Sequence, residues 1–145
     1  DQHEPNVQAI MEHPRVMIGS DGSSLSKQGV LGQRSTHPRA YGTFARVLGR
    51  YTRQQKLLEW PQAVYKMTGL PALAFNIPDR GRLEPGAWAD IVVFDPQTVI
   101  DNATFTDPHQ YAAGIEHVIL NGQQVVQNGQ TAGIQAGQVL PPPGR

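Results

Sequence analysis

Cysteine is missing from all 145 residues. That excludes disulfides, a thiol nucleophile and any thiolate metal site. Net charge is missing too, since 12 Lys and Arg balance 12 Asp and Glu. The basic residues are scattered rather than striped, so no field draws the chain to nucleic acid or to an anionic membrane. No apolar run approaches the roughly 20 residues that a membrane-spanning helix needs. The start shows neither the charged region nor the apolar stretch of a secretion signal, which makes a cytoplasmic setting the expectation. No repeat is visible. Length allows one domain with a real core. The five histidines are spread along the chain, and His3, His13, His109 and His117 lack the spacing of a ligand cluster. They are expected at the surface or in structural roles.

What is present reads first as helix. Between Glu4 and Glu12, Val7, Ile10 and Met11 recur at spacings of three and four, one face of a helix. Pro5 suits its first turn, and His13-Pro14 ends it, because a residue before proline is pushed out of the helical region. Val16-Met17-Ile18 then reads as a buried strand that stops at Gly19-Ser20-Asp21-Gly22. Helix, short turn, strand and polar tip make one unit of a parallel sheet. In parallel α/β architectures reactive groups lie at the C-terminal ends of strands, which makes Asp21 the first candidate for chemistry. Ser20-Asp21-Gly22 is equally the composition of an ordinary turn.

A Gly- and Ser-rich loop without structure of its own is expected from Gly22 to Arg34. Tyr41, Phe44, Val47, Leu48 and Tyr51 then form a helical stripe expected in the core, with Arg46, Arg50 and Arg53 on its other sides. A further helix opens at Leu57 to Trp60 with Pro61 near its first position. It should present Ala63, Val64, Met67 and Leu70 to the core, with an interruption at Gly69 and a left-handed cap at Asn76. After Asp79-Arg80-Gly81 the pattern turns to β. Ala89 to Pro96 is a β-branched strand stopped by proline, with Asp90 and Asp95 serving its turns. Ile115 to Leu120 is a second strand, and Asn121-Gly122 a hairpin turn before Gln123 to Gln127. Asn128-Gly129 repeats the turn signal. Short extended pieces are expected at Val99-Ile100 and Ala103-Thr104-Phe105. These strands are too few to close convincingly on themselves.

In chain order the sequence carries Ile18-Gly19-Ser20-Asp21-Gly22, His37-Pro38-Arg39 with Tyr41-Gly42-Thr43-Phe44 and Val47-Leu48-Gly49, and Lys66-Met67-Thr68 with Leu70-Pro71-Ala72. Asp79-Arg80-Gly81, Gly86 and Ala89-Asp90 to Pro96 follow, then Thr104 to Tyr111 and the Val118 to Gly122 hairpin. This series closely resembles the C-terminal part of the D-aminoacylases (N-acyl-D-amino-acid deacylases) of the amidohydrolase superfamily, from about His13 to Gly129. The Gly86 to Asp95 stretch and the Asn-Gly hairpin are similar to many amidohydrolases, dihydropyrimidinases included. The His37 to Gly49 and Asp107-Pro108-His109-Gln110-Tyr111 runs point to the deacylase branch.

The resemblance implies an α+β chain comprising the end of a metal-dependent (β/α)₈ barrel followed by the C-terminal share of a small antiparallel β-sandwich. Residues 1–78 would supply the eighth strand (Val16–Ile18) and the last helices (41–52 and 59–75), and residues 79–145 the sandwich share and a frayed tail. It further implies that Asp21 is the catalytic carboxylate, contacting the metal-bound water as general base and then giving a proton to the leaving amine. A Zn²⁺ ion brings the pKa of bound water to roughly 7, which suits a carboxylate acceptor. Arg39 matches an arginine that holds the substrate's α-carboxylate, a task suited to a planar guanidinium. The same Arg39 also fits an exposed loop arginine, and His37 a ligand or, more simply, a residue that positions backbone.

The remaining metal ligands implied by the resemblance (a His-x-His pair, a cysteine or modified lysine, and two further histidines) have no counterpart in this chain. A catalytic zinc takes three protein ligands plus water. The chain by itself is therefore expected to be inactive and to bind no zinc. It reads as a piece of a longer protein whose partners are the missing N-terminal barrel and a small N-acyl-D-amino acid. The exposed apolar patch expected where the barrel should sit could also drive self-association. A stand-alone β-rich assembly module and a cyclic-amide hydrolase are the competing readings.

Overall fold

The computed structural model describes residues 3–140, so the expected frayed tail at 141–145 lies outside the described residues. α1 spans Glu4–Glu12, with Pro5 in its first turn and His13 as its C-cap, as its composition predicts. Its Met11 is buried and Val7 packs on the core. After a short α2 (Gly29–Gly32), which the loop composition does not foretell, α3 spans Arg39–Arg46 and runs straight into a π-helix, Val47–Gln54. The wider π winding, with bonds from i to i+5, takes over the burial. Val47, Leu48 and Tyr51 are core, whereas Phe44, one turn earlier, stays 46 % exposed.

The π-helix packs closely on the next layer. Gly49 presses the π-helix backbone against the next layer, and a Cβ there would stand 2.4 Å from the Val99 carbonyl oxygen. Arg53 donates to the same carbonyl at 2.6 Å and to that of Pro96 at 3.2 Å. Replacing Gly49 by Ala is therefore expected to destabilise the fold by about 2 kcal/mol, read in a denaturant melt, because the opposing atom is backbone and cannot step aside. An unchanged midpoint would refute this packing.

α4 (Trp60–Met67) opens with a reciprocal cap in which Glu59 and Gln62 each satisfy the other's backbone N–H. It breaks at Thr68, and α5 (Gly69–Ala74) ends before Asn76, whose φ of 51° gives the expected left-handed cap. Ala63 is fully buried, but Val64 is on the exposed side.

β1 (Ile91–Phe94), β2 (Ile115–Leu120), β3 (Gln123–Gln127) and β4 (Gln130–Thr131) form one antiparallel sheet in chain order. Asn121-Gly122 and Asn128-Gly129 make the turns, all four with positive φ, which is the geometry that sets two-residue hairpins. Asp90 accepts the Asn121 N–H at 2.8 Å and pairs with Arg80, whose guanidinium also lies over Trp88. Asp95 accepts the Gln97 N–H and the Thr98 hydroxyl, bonds that hold its carboxyl below the usual range. Both aspartates thus serve turns. Of the short extended pieces, Ile100 forms a single bridge to Ala113.

The core joins the two halves. Met11, Val47, Leu48, Tyr51, Leu58, Ala63 and Val99 cluster, with Trp60, Phe94 and Ile115 packed against them. Trp60 stacks on Phe94 at 5.9 Å between centroids. Apolar surface is nevertheless left over. Val92 and Val93 on the edge strand β1, and Leu73 and Phe75 at the end of α5, are exposed. No helix among the described residues is long and apolar enough to cross a membrane.

The strand expected at Val16–Ile18 carries no ladder among the described residues. A parallel strand exists only through neighbours to pair with, and none lies beside it here. Instead the Ile18 N–H donates to the carbonyl of Lys66 at 3.1 Å.

Candidate functional site

Asp21 and Arg39 meet. Arg39 Nη2 lies 2.9 Å from Asp21 Oδ2, with the two side chains 46 % and 87 % exposed. Two local features bring them together. Asp21 has a φ of 47°, a left-handed turn that Asp tolerates better than most residues, and this swings the chain back on itself. Gly22 then lets the backbone lie against the start of α3, where a Cβ would come within 2.9 Å of Ala40 Cα. Arg39, as the first residue of α3, is thereby set beside the carboxylate. The pair leaves an acid–base group and a planar cation side by side in solvent.

His37 takes the backbone role. Its Nδ1 accepts the Arg39 N–H at 3.1 Å, and its ring meets the Phe105 ring edge-on. It therefore orients the first turn of α3 and is turned to local bonding. Among the described residues no three of His, Cys, Asp and Glu converge as a metal site. The donors among the described residues do not complete a catalytic zinc site, which needs three protein ligands.

The loop between Asp21 and Arg39 is held from across the molecule by the Asp107–Tyr111 run. Tyr111 Oη accepts the Lys27 N–H at 3.3 Å, and Gln110 Oε1 accepts Lys27 Nζ at 3.1 Å. His109 Nε2 lies 2.7 Å from the Arg34 carbonyl, so it must donate there. In a neutral ring Nδ1 is then free to accept from the Tyr41 hydroxyl, 2.9 Å away. Burial, with Tyr111 nearby, raises the Tyr41 hydroxyl's pKa. A cleft of about 730 Å³ opens here, lined by Ser24, Ser26, Tyr41, Tyr111 and Thr131 among others.

Sequence reasoning assigned no role to Lys66. It is 5 % exposed, and its ammonium donates to the carbonyls of His13 and Val16 at 2.5 and 3.0 Å. Burial pushes its pKa down. The available signal was its place on the apolar face of α4, three residues after Ala63 and next to Met67.

Comparison with known proteins finds matches along most of the chain. A model described as "Amidohydrolase family" matches residues 2–126. The chain is 50 % identical over 119 residues to an N-acyl-D-glutamate deacylase of Alcaligenes xylosoxydans xylosoxydans, covering 82 % of this chain and 23 % of that protein. It superposes on the crystal structure of D-aminoacylase with a TM-score of 0.86 at 46 % identity, over 95 % of this chain and 28 % of that one. On the N-acyl-D-glutamate deacylase of Bordetella bronchiseptica, complexed with zinc and a phosphonate mimic of the tetrahedral intermediate, the TM-score is 0.77 at 44 % identity, over 90 % and 27 %. The chain thus spans about a quarter of the length of the relatives it matches.

Proposed function

This chain belongs to the amidohydrolase family, and we propose that it works as the C-terminal part of a metal-dependent deacylase that splits N-acyl-D-amino acids. The observation that carries this is the Asp21–Arg39 contact at 2.9 Å. An N-acyl amino acid bears its carboxylate and its scissile amide on one carbon. An enzyme for it therefore needs a cation for the first within a few ångströms of the proton carrier for the second. Arg39 is the proposed anchor, pairing with Asp21 until a substrate carboxylate takes its place. Asp21 is the proposed proton carrier. It takes a proton from the water that attacks the carbonyl carbon, and delivers it to the nitrogen as the C–N bond breaks. The products are a carboxylate and a free D-amino acid.

The zinc of the Bordetella relative supports metal dependence. Asp21 is proposed as one donor to such an ion, with the remaining ligands coming from outside these residues. The finer architecture belongs to the same proposal, with residues 1–78 ending a (β/α)₈ barrel and residues 79–145 completing a β-sandwich. The unpaired Val16–Ile18 segment and the exposed Val92 and Val93 on edge strand β1 support it, since both want neighbouring strands. The partner is then the N-terminal remainder of the same protein, with self-association through those apolar faces as the fallback in its absence. A cysteine-free chain has no need of an oxidising compartment, and a cytoplasmic setting completes the proposal.

The test is turnover by the full-length protein of N-acetyl-D-amino acids, their L-enantiomers and hydantoins in parallel. Hydrolysis confined to the D-series is expected. Turnover of hydantoins alone would replace this reading by a cyclic-amide hydrolase, and no turnover of any of them would favour a binding or assembly module.

A further inference from the structure

Among the described residues, every hydrogen bond that residues 14–19 make beyond their immediate neighbour His13 runs to one side chain and backbone, that of Lys66. Its ammonium holds the carbonyls of His13 and Val16, and its own carbonyl receives the Ile18 N–H. No carboxylate lies within 4 Å of that ammonium among the described residues. Burying a cation without a counter-charge is costly, and a lysine at a core-facing position of α4 would ordinarily be an aliphatic residue. The position is explained if the segment leading to Asp21 needs strong donors for its open carbonyls, supplied from a rigid helix.

We infer that Lys66 is a positioning residue, a three-point clamp from α4 that fixes the His13–Ile18 segment and through it the placement of Asp21. A shorter side chain could not reach both carbonyls from α4. The clamp itself is geometry. Its consequence for catalysis rests on the role proposed above for Asp21.

The experiment is amide hydrogen exchange on the whole chain with Lys66→Met, which keeps the apolar stem and removes the side-chain donors, and Lys66→Arg, which restores donors and charge. The Met variant should speed exchange at the hydrogen-bonded amides of Val16 and Ile18 by about tenfold or more while β2 and β3 keep their protection, and the Arg variant should recover at least part of the loss. No change at Val16 and Ile18, or an equal rise throughout the chain, would overturn the clamp, the latter by showing a merely global loss of stability. A reading without any variant guards against a Met variant that fails to fold. In the unaltered chain the Lys66 ammonium protons should exchange about tenfold or more slowly than those of Lys27 and Lys56. Equal rates would overturn the inference. None of these measurements uses substrate. An absence of deacylase activity would therefore sink the proposed function and leave the clamp standing, and unchanged exchange would do the reverse.

Discussion

Replacing Asp21 by Asn should lower kcat of the full-length protein on N-acetyl-D-amino acids by about a thousandfold, within the range of general acid–base catalysis, and leave the melting temperature within about 2 °C. The two halves of this prediction have separate causes. Asn has the shape of Asp and tolerates the left-handed φ of 47° at this position, so the turn survives. The lost partner of Arg39 was an exposed ion pair, 87 % exposed on the aspartate side, and such pairs contribute little to stability. What the amide cannot do is take up a proton from water and return it to the leaving nitrogen. Asp21→Ala would remove the same function, but it would also place a residue with no local hydrogen-bonding side chain in a left-handed turn, which makes it the poorer test. Unchanged kcat in Asp21→Asn would remove Asp21 from the mechanism. A loss of activity matched by a loss of folded protein would mean that the residue holds the turn.

The elements that could be read from sequence are those whose cause is local. α1 is bounded by Pro5 and His13-Pro14, and β2 and β3 are set by the Asn121-Gly122 turn between them, so their limits lie where composition puts them. The π winding of Val47–Gln54 has no signal in the residue types. Gly49 has to meet the Val99 carbonyl, and a stripe of Tyr41, Phe44, Val47, Leu48 and Tyr51 looks the same in a helix of either pitch. The Val16–Ile18 segment has a strand's composition, yet a strand is made by its partners, and among the described residues only His13 and Lys66 bond it. At the candidate site the residue types were legible, as a carboxylate after an apolar run and an arginine after His-Pro. Their contact was not, since it depends on Gly22 settling against Ala40. Lys66 escaped because a lysine in an amphipathic helix is assigned to solvent by default, and only its burial shows otherwise.

Arg39→Met should raise KM for N-acetyl-D-amino acids by about 10- to 100-fold, the size expected for a hydrogen bond between charged groups, and change kcat much less. The Arg39 backbone is held at the head of α3 by its N–H bond to His37, 3.1 Å long. From there the planar guanidinium offers a pair of donors to a carboxylate. Arg39→Lys keeps the charge and loses the fork, so its KM should fall between those of Met and the unaltered residue. A KM change alone would not separate holding the substrate from restraining Asp21, because Arg39 touches that carboxylate in the free chain. The separation comes from a second substrate, the matching N-acetyl-D-amino-acid amide, which keeps the scissile bond and has no anion. If Arg39 binds the carboxylate, the amide is a poor substrate for the unaltered protein and Arg39→Met makes it no worse, so the two losses are not additive. If Arg39 instead tunes or restrains Asp21, both substrates lose by the same factor in the variant, and the effect falls on kcat. An equal loss for both substrates would take the anchor role from Arg39 while leaving the proton-transfer role of Asp21 in place.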